Sequence, residues 1–326
     1  MKKLLTTTAL VALVASSTAS LAETKIKGSI EQTMISTSYD LATDNHKGTT
    51  AIGQETNLDI SSSKDLTNGW NLSGGFRIEN GSVDSSTIKL SQGAFSIHTG
   101  ADTGSNNHSN INPRVGESYY DVLLGEAAGD GFASDAQAHD VQHIGVEFSA
   151  AMGKVYVNYA PDSTSTIAVS GGNTVDGGSS ITEIGFQGSL GVAGLNLLVG
   201  TEEIKGDNTA SDVQNDVLSV SYTTGPVAVG FTVRSKDDGS VSTNLAEETN
   251  VYSIAYAISK DLSVSYENST VKFEGSSKTD AEYDQVSIGY NFGGLGVSLD
   301  YVQADNVAGA PTDDREAIQI RTVYAF

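Results

Sequence analysis

The chain has no cysteine among its 326 residues, which excludes a disulfide framework, a thiolate metal site and thiol chemistry. It has few basic residues, 18 Lys and Arg against 40 Asp and Glu, for a formal charge of −22. Nucleic acid is therefore not an expected partner, because phosphate binding draws on clustered cations. Beyond a short apolar start there is no run of 18 or more apolar residues, so the chain cannot cross a bilayer as a helix. A closed barrel is the only other way through. Apolar residues make up 38%, with 35 Gly, 13 Tyr and four Pro. Low hydrophobicity with high negative charge is a composition compatible with disorder, and periodicity decides against it.

Residues 1–22 read as a leader. Lys2 and Lys3 give a positive start, Leu4 to Val14 an apolar stretch too short to span, and Ser20-Leu21-Ala22 the small residues of a cleavage site. The expected division is a signal peptide over 1–22 and one domain over 23–326. The leader holds two of the 18 basic residues and none of the 40 acidic ones, so the remainder carries a formal charge of −24.

That remainder alternates with period two. In the last segment Ile318, Ile320, Thr322, Tyr324 and Phe326 share one face and Ala317, Gln319, Arg321, Val323 and Ala325 the other. Val227, Val229, Phe231 and Val233 repeat the pattern, as do Val286, Ile288, Tyr290 and Phe292. Such runs predict about sixteen antiparallel strands, from 24–38 and 55–62 to 295–304 and 315–326. Their connections alternate in length. Gly225-Pro226, Lys260-Asp261 and Gly293-Gly294 are tight, whereas 39–53, 100–140, 161–180 and 236–248 are long and polar. A transmembrane barrel sorts its loops this way, with short periplasmic turns and longer external ones.

The faces opposite the apolar ones carry Lys25, Lys27, Glu31, Asp59, Arg77, Lys89, Glu147, Arg234, Glu267, Asp300 and Arg321. A dry core cannot hold so many charges, so this face is expected to line a wet lumen while the apolar face meets lipid. Trp70, Phe95, Phe292 and Phe326 fall beside short turns or the terminus, and Tyr159, Tyr266 and Tyr301 toward the long loops, as two interfacial girdles require.

With its leader, loop parity and terminal Phe326 in this order, the chain resembles the general-porin family, in particular the sixteen-stranded porins of alphaproteobacteria. Tyr324 and Phe326 resemble that family's C-terminal assembly signal, read by the outer-membrane insertion machinery. The turn Lys64-Asp65-Leu66-Thr67-Asn68-Gly69 and a long third loop over 100–140 also match in place. The resemblance implies a Gram-negative outer-membrane homotrimer embedded in lipid, passive diffusion of ions and small hydrophilic solutes, no enzymatic activity and no cofactor. It also implies that the third loop folds inward.

That loop holds Asp102, Glu117, Asp121, Glu126, Asp130 and Asp135 against Arg114, and its middle, 117–127, has the spacing of a short helix. Lumen-facing Lys25, Lys27, Arg77, Lys89 and Arg321, on strands adjacent once the barrel closes, are expected to form the opposing basic wall. Acid facing base across a narrow pore sets up a transverse field that favours dipolar solutes. The strong negative balance predicts cation preference. External carboxylates such as Glu247, Glu248, Asp313 and Asp314 have an alternative role in binding divalent ions such as calcium, although no twelve-residue calcium-loop pattern is present. Two rival functions remain: a plugged barrel acting as an adhesin or structural protein, and a barrel hydrolase. A zinc site at His139 and His143 lacks further ligands.

Overall fold

The computed structural model describes residues 23–41, 44–101, 103–109, 111–116, 122, 142–161, 180–205, 212–237, 247–274 and 278–326. Among them sixteen strands close an antiparallel barrel in chain order. The first five are β1 (Glu23–Leu41), β2 (Asp44–Asp65), β3 (Asn71–Glu79), β4 (Ser82–Gln92) and β5 (Phe95–Ala101). The next six are β6 (His143–Ala150), β7 (Gly153–Ala160), β8 (Ser180–Gly188), β9 (Leu195–Lys205), β10 (Val213–Thr224) and β11 (Val227–Asp237). The last five are β12 (Glu247–Ala257), β13 (Leu262–Phe273), β14 (Ala281–Asn291), β15 (Leu295–Asp305) and β16 (Asp314–Ala325).

Exposure alternates along these strands in the sense opposite to a soluble barrel. On β6 the exposed residues are Ile144, Val146 and Phe148, and the buried ones are His143, Gly145 and Glu147. The same holds on β13 and β14, where Tyr266, Val286 and Ile288 point out while Glu267, Gln285 and Ser287 are buried. β-branched and aromatic residues suit the pleated outer surface, and lipid supplies the apolar contact that a core would otherwise give. Aromatic pairs mark the short-turn end. Trp70 meets Phe95 edge-on at 6.5 Å, and Tyr290–Phe292 and Tyr324–Phe326 lie at 4.4 and 6.1 Å between centroids.

One expected loop is strand instead. Residues 39–41 and 44–53 lie in β1 and β2, paired from Ile35 opposite Ala51 to Tyr39 opposite Lys47, with Thr37 Oγ1 and Thr49 Oγ1 2.9 Å apart. Alternation is an imprint of lipid on one face, so a hairpin that continues past the apolar belt keeps its ladder and loses the pattern. β3 pairs with β2 only as far as Glu79 opposite Asn57.

The seam depends on the last residue. Phe326 N–H donates to Gly28 O and Gly28 N–H to Phe326 O, both at 2.9 Å, extending the β1–β16 ladder to the terminus. The phenyl ring lies on the outer face against Gly28, in the space a Cβ there would need. Deleting Phe326 removes both bonds and is expected to destabilise the closed barrel by about 1–3 kcal/mol. Phe326→Ala keeps the backbone bonds and should lose less. Heat-modifiable mobility after refolding into detergent measures the difference; equal yields for both variants and the parent would refute this account of the seam.

Candidate functional site

The chain leaves β5 at Ala101 and turns into the barrel. The described stretches 103–109 and 111–116 run along the inner wall from β5 to β15. Glycines on inward positions make room for them. A Cβ at Gly185 or Gly200 would meet Asn107, at Gly230 Pro113 and Asn112, and at Gly289 Val115, whereas at Gly145 it would meet the wall side chains His98 and Asn158. Gly185 and Gly200 are directly opposite one another on β8 and β9. Asn107 fills that cradle: its amide nitrogen donates to Ile184 O at 3.3 Å and Thr201 O at 2.9 Å, and its Oδ1 accepts from Tyr156 Oη at 2.6 Å. A strand glycine often marks such close backbone approach.

Buried carboxylates on the wall hold the loop. Glu147 accepts from Ser105 N and Oγ, both at 2.9 Å, and from Lys89 Nζ at 2.6 Å, with Lys154 Nζ at 3.7 Å. Glu183 accepts from Asn107 N, and from Asn158 Nδ2 at 2.9 Å. Glu202 meets His108 Nε2 at 3.4 Å and Asn215 Nδ2 at 3.1 Å. Glu267 lies 3.9 Å from Arg114, and Gly116 packs against the Asp300 carboxylate. Further along, Val115 N donates to Ser265 Oγ at 2.8 Å and Arg234 Nη2 to His108 O at 3.2 Å. Each bond satisfies a group that the loop cannot pair within itself. Glu147, Glu267 and Asp300, expected to face open water, are instead buried beneath the loop.

The loop carboxylates Asp102, Glu117, Asp121, Glu126, Asp130 and Asp135 lie outside the described residues. Within 117–127 the described residue is Val122, helical and buried against Val271, Val302 and Ala317. Of the basic residues, Lys25 and Lys27 are exposed on the β1 wall, and Arg77 Nε donates to Asp59 at 2.9 Å. Lys89 stands at the foot of the loop, joined to it through Glu147. Arg321 is held by Glu31 through Nε and Nη2 and lines the same hollow as Arg114.

In these pairs the cation is the more exposed partner. Lys89 is 36% exposed against 4% for Glu147, Arg321 26% against 13% for Glu31, and Arg114 19% against 3% for Glu267. At these three pairs the inner wall presents the cation, whereas Arg77 and Asp59 are equally exposed, at 44% and 43%. His139 lies outside the described residues, and His143 is buried beside another histidine. Its Nε2 lies 3.3 Å from Nε2 of buried His98, and no group of three His, Cys, Asp or Glu that could hold a metal occurs among the described residues.

The family model described as Gram-negative porin matches residues 7–326. Among solved structures, the outer-membrane-expressed OmpT of Vibrio cholerae is similar, with a TM-score of 0.66 at 14% identity over 93% of this chain and 97% of that one. A porin refined at 1.8 Å gives the same TM-score and identity, covering 93% and 100%. A mutant of Rh. blastica porin gives 0.61 at 13% identity, with the same coverage. No curated protein matches by sequence.

The Gly200 cradle yields a test that leaves every hydrogen-bonding side chain in place. Gly200→Ala puts a methyl where Asn107 sits, and is expected to unseat the loop and broaden the distribution of single-channel conductance. Glu147→Ala should cost about 1–3 kcal/mol, since it leaves the buried Ser105 amide and hydroxyl without their acceptor, while Lys89, 36% exposed, is solvated. Conductance histograms and thermal unfolding check the two outcomes; narrow parental histograms for Gly200→Ala would show that the cradle does not hold the loop.

Proposed function

The chain belongs to the Gram-negative porin family, and from that premise we propose that it forms a water-filled outer-membrane channel for passive diffusion of ions and small hydrophilic solutes, with a preference for cations. The observation that carries this reading is the division of the inner wall. From β5 to β15 the wall is covered by an inward loop, whereas β16, β1, β2 and β3 carry Lys25, Lys27, Arg77 and Arg321 on inward positions that the described loop stretches leave open, apart from the hollow Arg321 shares with the loop. The constriction would then lie between the loop and these strands. Asp102, Glu117, Asp121, Glu126, Asp130 and Asp135 would supply its acidic side, Lys25, Lys27, Arg77, Lys89 and Arg321 the basic one. In this reading residues 1–22 are removed on export, and Tyr324 and Phe326 are read by the insertion machinery.

A homotrimer fits the outer face. Gln32 lies opposite Gln54 on β2 and Thr322 on β16, all on outward positions, flanked along β1 by exposed Ile30 and Met34. A polar row in the middle of an apolar belt is costly against hydrocarbon and is accommodated against another subunit. Outward positions of β6, β7 and β14 carry Ile144, Val146, Val155, Val157, Val286 and Ile288 at comparable places.

Single-channel recording of detergent-purified protein in planar bilayers under a KCl gradient tests the proposal. Stepwise openings in threes and a cation-selective reversal potential are expected. Asp121→Asn with Glu126→Gln should lower the cation preference severalfold, because fixed carboxylates concentrate cations where the field is focused. An unchanged reversal potential would move the filter away from the loop carboxylates, and a folded barrel that conducts nothing would overturn the channel and leave a plugged one.

A further inference from the structure

Between the loop and the wall of β13–β16 is a hollow of about 360 Å³, on the short-turn half of the barrel. Its lining includes Arg114, Lys260 and Arg321 with the neutral donors Ser263, Asn291 and Ser298. Among the described lining residues the one carboxylate is Asp261, 2.9 Å from Lys260 Nζ. Glu31 and Glu267, which balance Arg321 and Arg114, are each the less exposed member of their pair. The cavity thus meets guanidinium and ammonium groups in front of carboxylates that lie behind them.

Arg114 stands out among these groups. Among the described residues its one charged contact is Glu267 at 3.9 Å, longer than a hydrogen bond, and its guanidinium donates no hydrogen bond to any of them. A guanidinium has five N–H groups in a planar fork that matches two oxygens of one oxyanion. The side chain is 19% exposed and lines the hollow, so its free N–H groups face the passage, where an oxyanion in transit can take both prongs of the fork. The backbone fixes the aim: Val115 N is tied to Ser265 Oγ, and Gly116 is packed on Asp300.

We infer that this hollow is a solute subsite for an oxyanion group, carboxylate or phosphate, gripped by Arg114 with Arg321 and Lys260 around it. The inference rests on the channel reading above and refines it, since a solute bearing both charges would be drawn in by external carboxylates and held briefly by its acidic end. The subsite discriminates by directional donors. Among the described residues the formal charges around it balance, Arg114, Lys260 and Arg321 against Glu267, Asp261 and Glu31, so chloride, which cannot span the fork, gains little.

The test is current interruption in KCl by citrate and, separately, by inorganic phosphate, added to the full-length channel in a planar bilayer. The parent is expected to show transient closures whose mean duration falls about tenfold in Arg114→Gln, the loss of one charged hydrogen-bonding group. Arg114→Lys should restore part of the duration. Lys64→Gln, which removes a cation from an outward position of β2, should match the parent. Interruption by either anion with this pattern supports the subsite. Equal closure times in the parent and Arg114→Gln, or an open channel that neither anion interrupts, overturns the subsite while leaving the channel intact. Absence of any conductance overturns the channel reading and the subsite with it.

Discussion

A polar segment laid inside a closed barrel must find partners for backbone groups that no ladder serves, and the rest of this structure is arranged around that requirement. The strands use their own N–H and C=O groups on both sides, since the β1–β16 pairing leaves the barrel no free seam. Little in that ladder is left for the loop beyond second lone pairs on carbonyls, such as Ile184 O and Thr201 O, which accept from the Asn107 side chain. Side chains with surplus acceptors must supply the bonds, and an ionised carboxylate offers about four lone-pair sites and no donor. That chemistry accounts for Glu147 under Ser105 and Glu183 under Asn107. Burying such groups is tolerable only when counter-charges and further donors accompany them. Lys89 and Lys154 at Glu147, and Asn158 at Glu183, meet that need.

A consequence is that where the compensating residue is a lysine or arginine, as at Glu147, Glu31 and Glu267, the cation is the member that faces the passage. Carboxylates that hold the loop lie against it, out of water, and their cations reach past them into the passage. The formal charge of −22 is therefore a poor guide to the inner surface, although it remains a fair guide to the rim. There Glu282 and Asp305 face each other across β14 and β15, both exposed.

The barrel was legible because lipid writes on the sequence. An outer face that must be apolar over a fixed height imposes period two on every strand, and Val286, Ile288 and Tyr290 carry that imprint as clearly as Ile318 and Ile320. The 39–53 hairpin carries no such imprint and was read as loop. The path of the inward loop was hidden for a different reason. Its partners are far away in sequence, 42 residues from Ser105 to Glu147, 76 from Asn107 to Glu183 and 150 from Val115 to Ser265. One signal was present and unused: Gly185, Gly200, Gly230 and Gly289 all occupy inward positions, where a lumen wall has no need of glycine unless another segment packs closely against it. The same oversight passed Arg114 as the lone exception in an acidic loop.

In the proposed channel, rim and lumen would act in series on a solute. Rim carboxylates lie in water, where salt shortens their reach to roughly 8 Å at physiological strength, so they raise local cation concentration without binding any one ion tightly. The inner groups act at contact distance, with guanidinium forks held by ion pairs to buried acids, and they select by geometry where the rim selects by sign. An apolar solute gains from neither. A simple cation gains from the first alone, and an anion must cross an unfavourable rim before it reaches the donors that suit it. A solute with separated positive and negative ends can use both in turn, and the order in which the chain places them, carboxylates at the long-loop end and exposed cations toward the short turns, sets the orientation in which it enters.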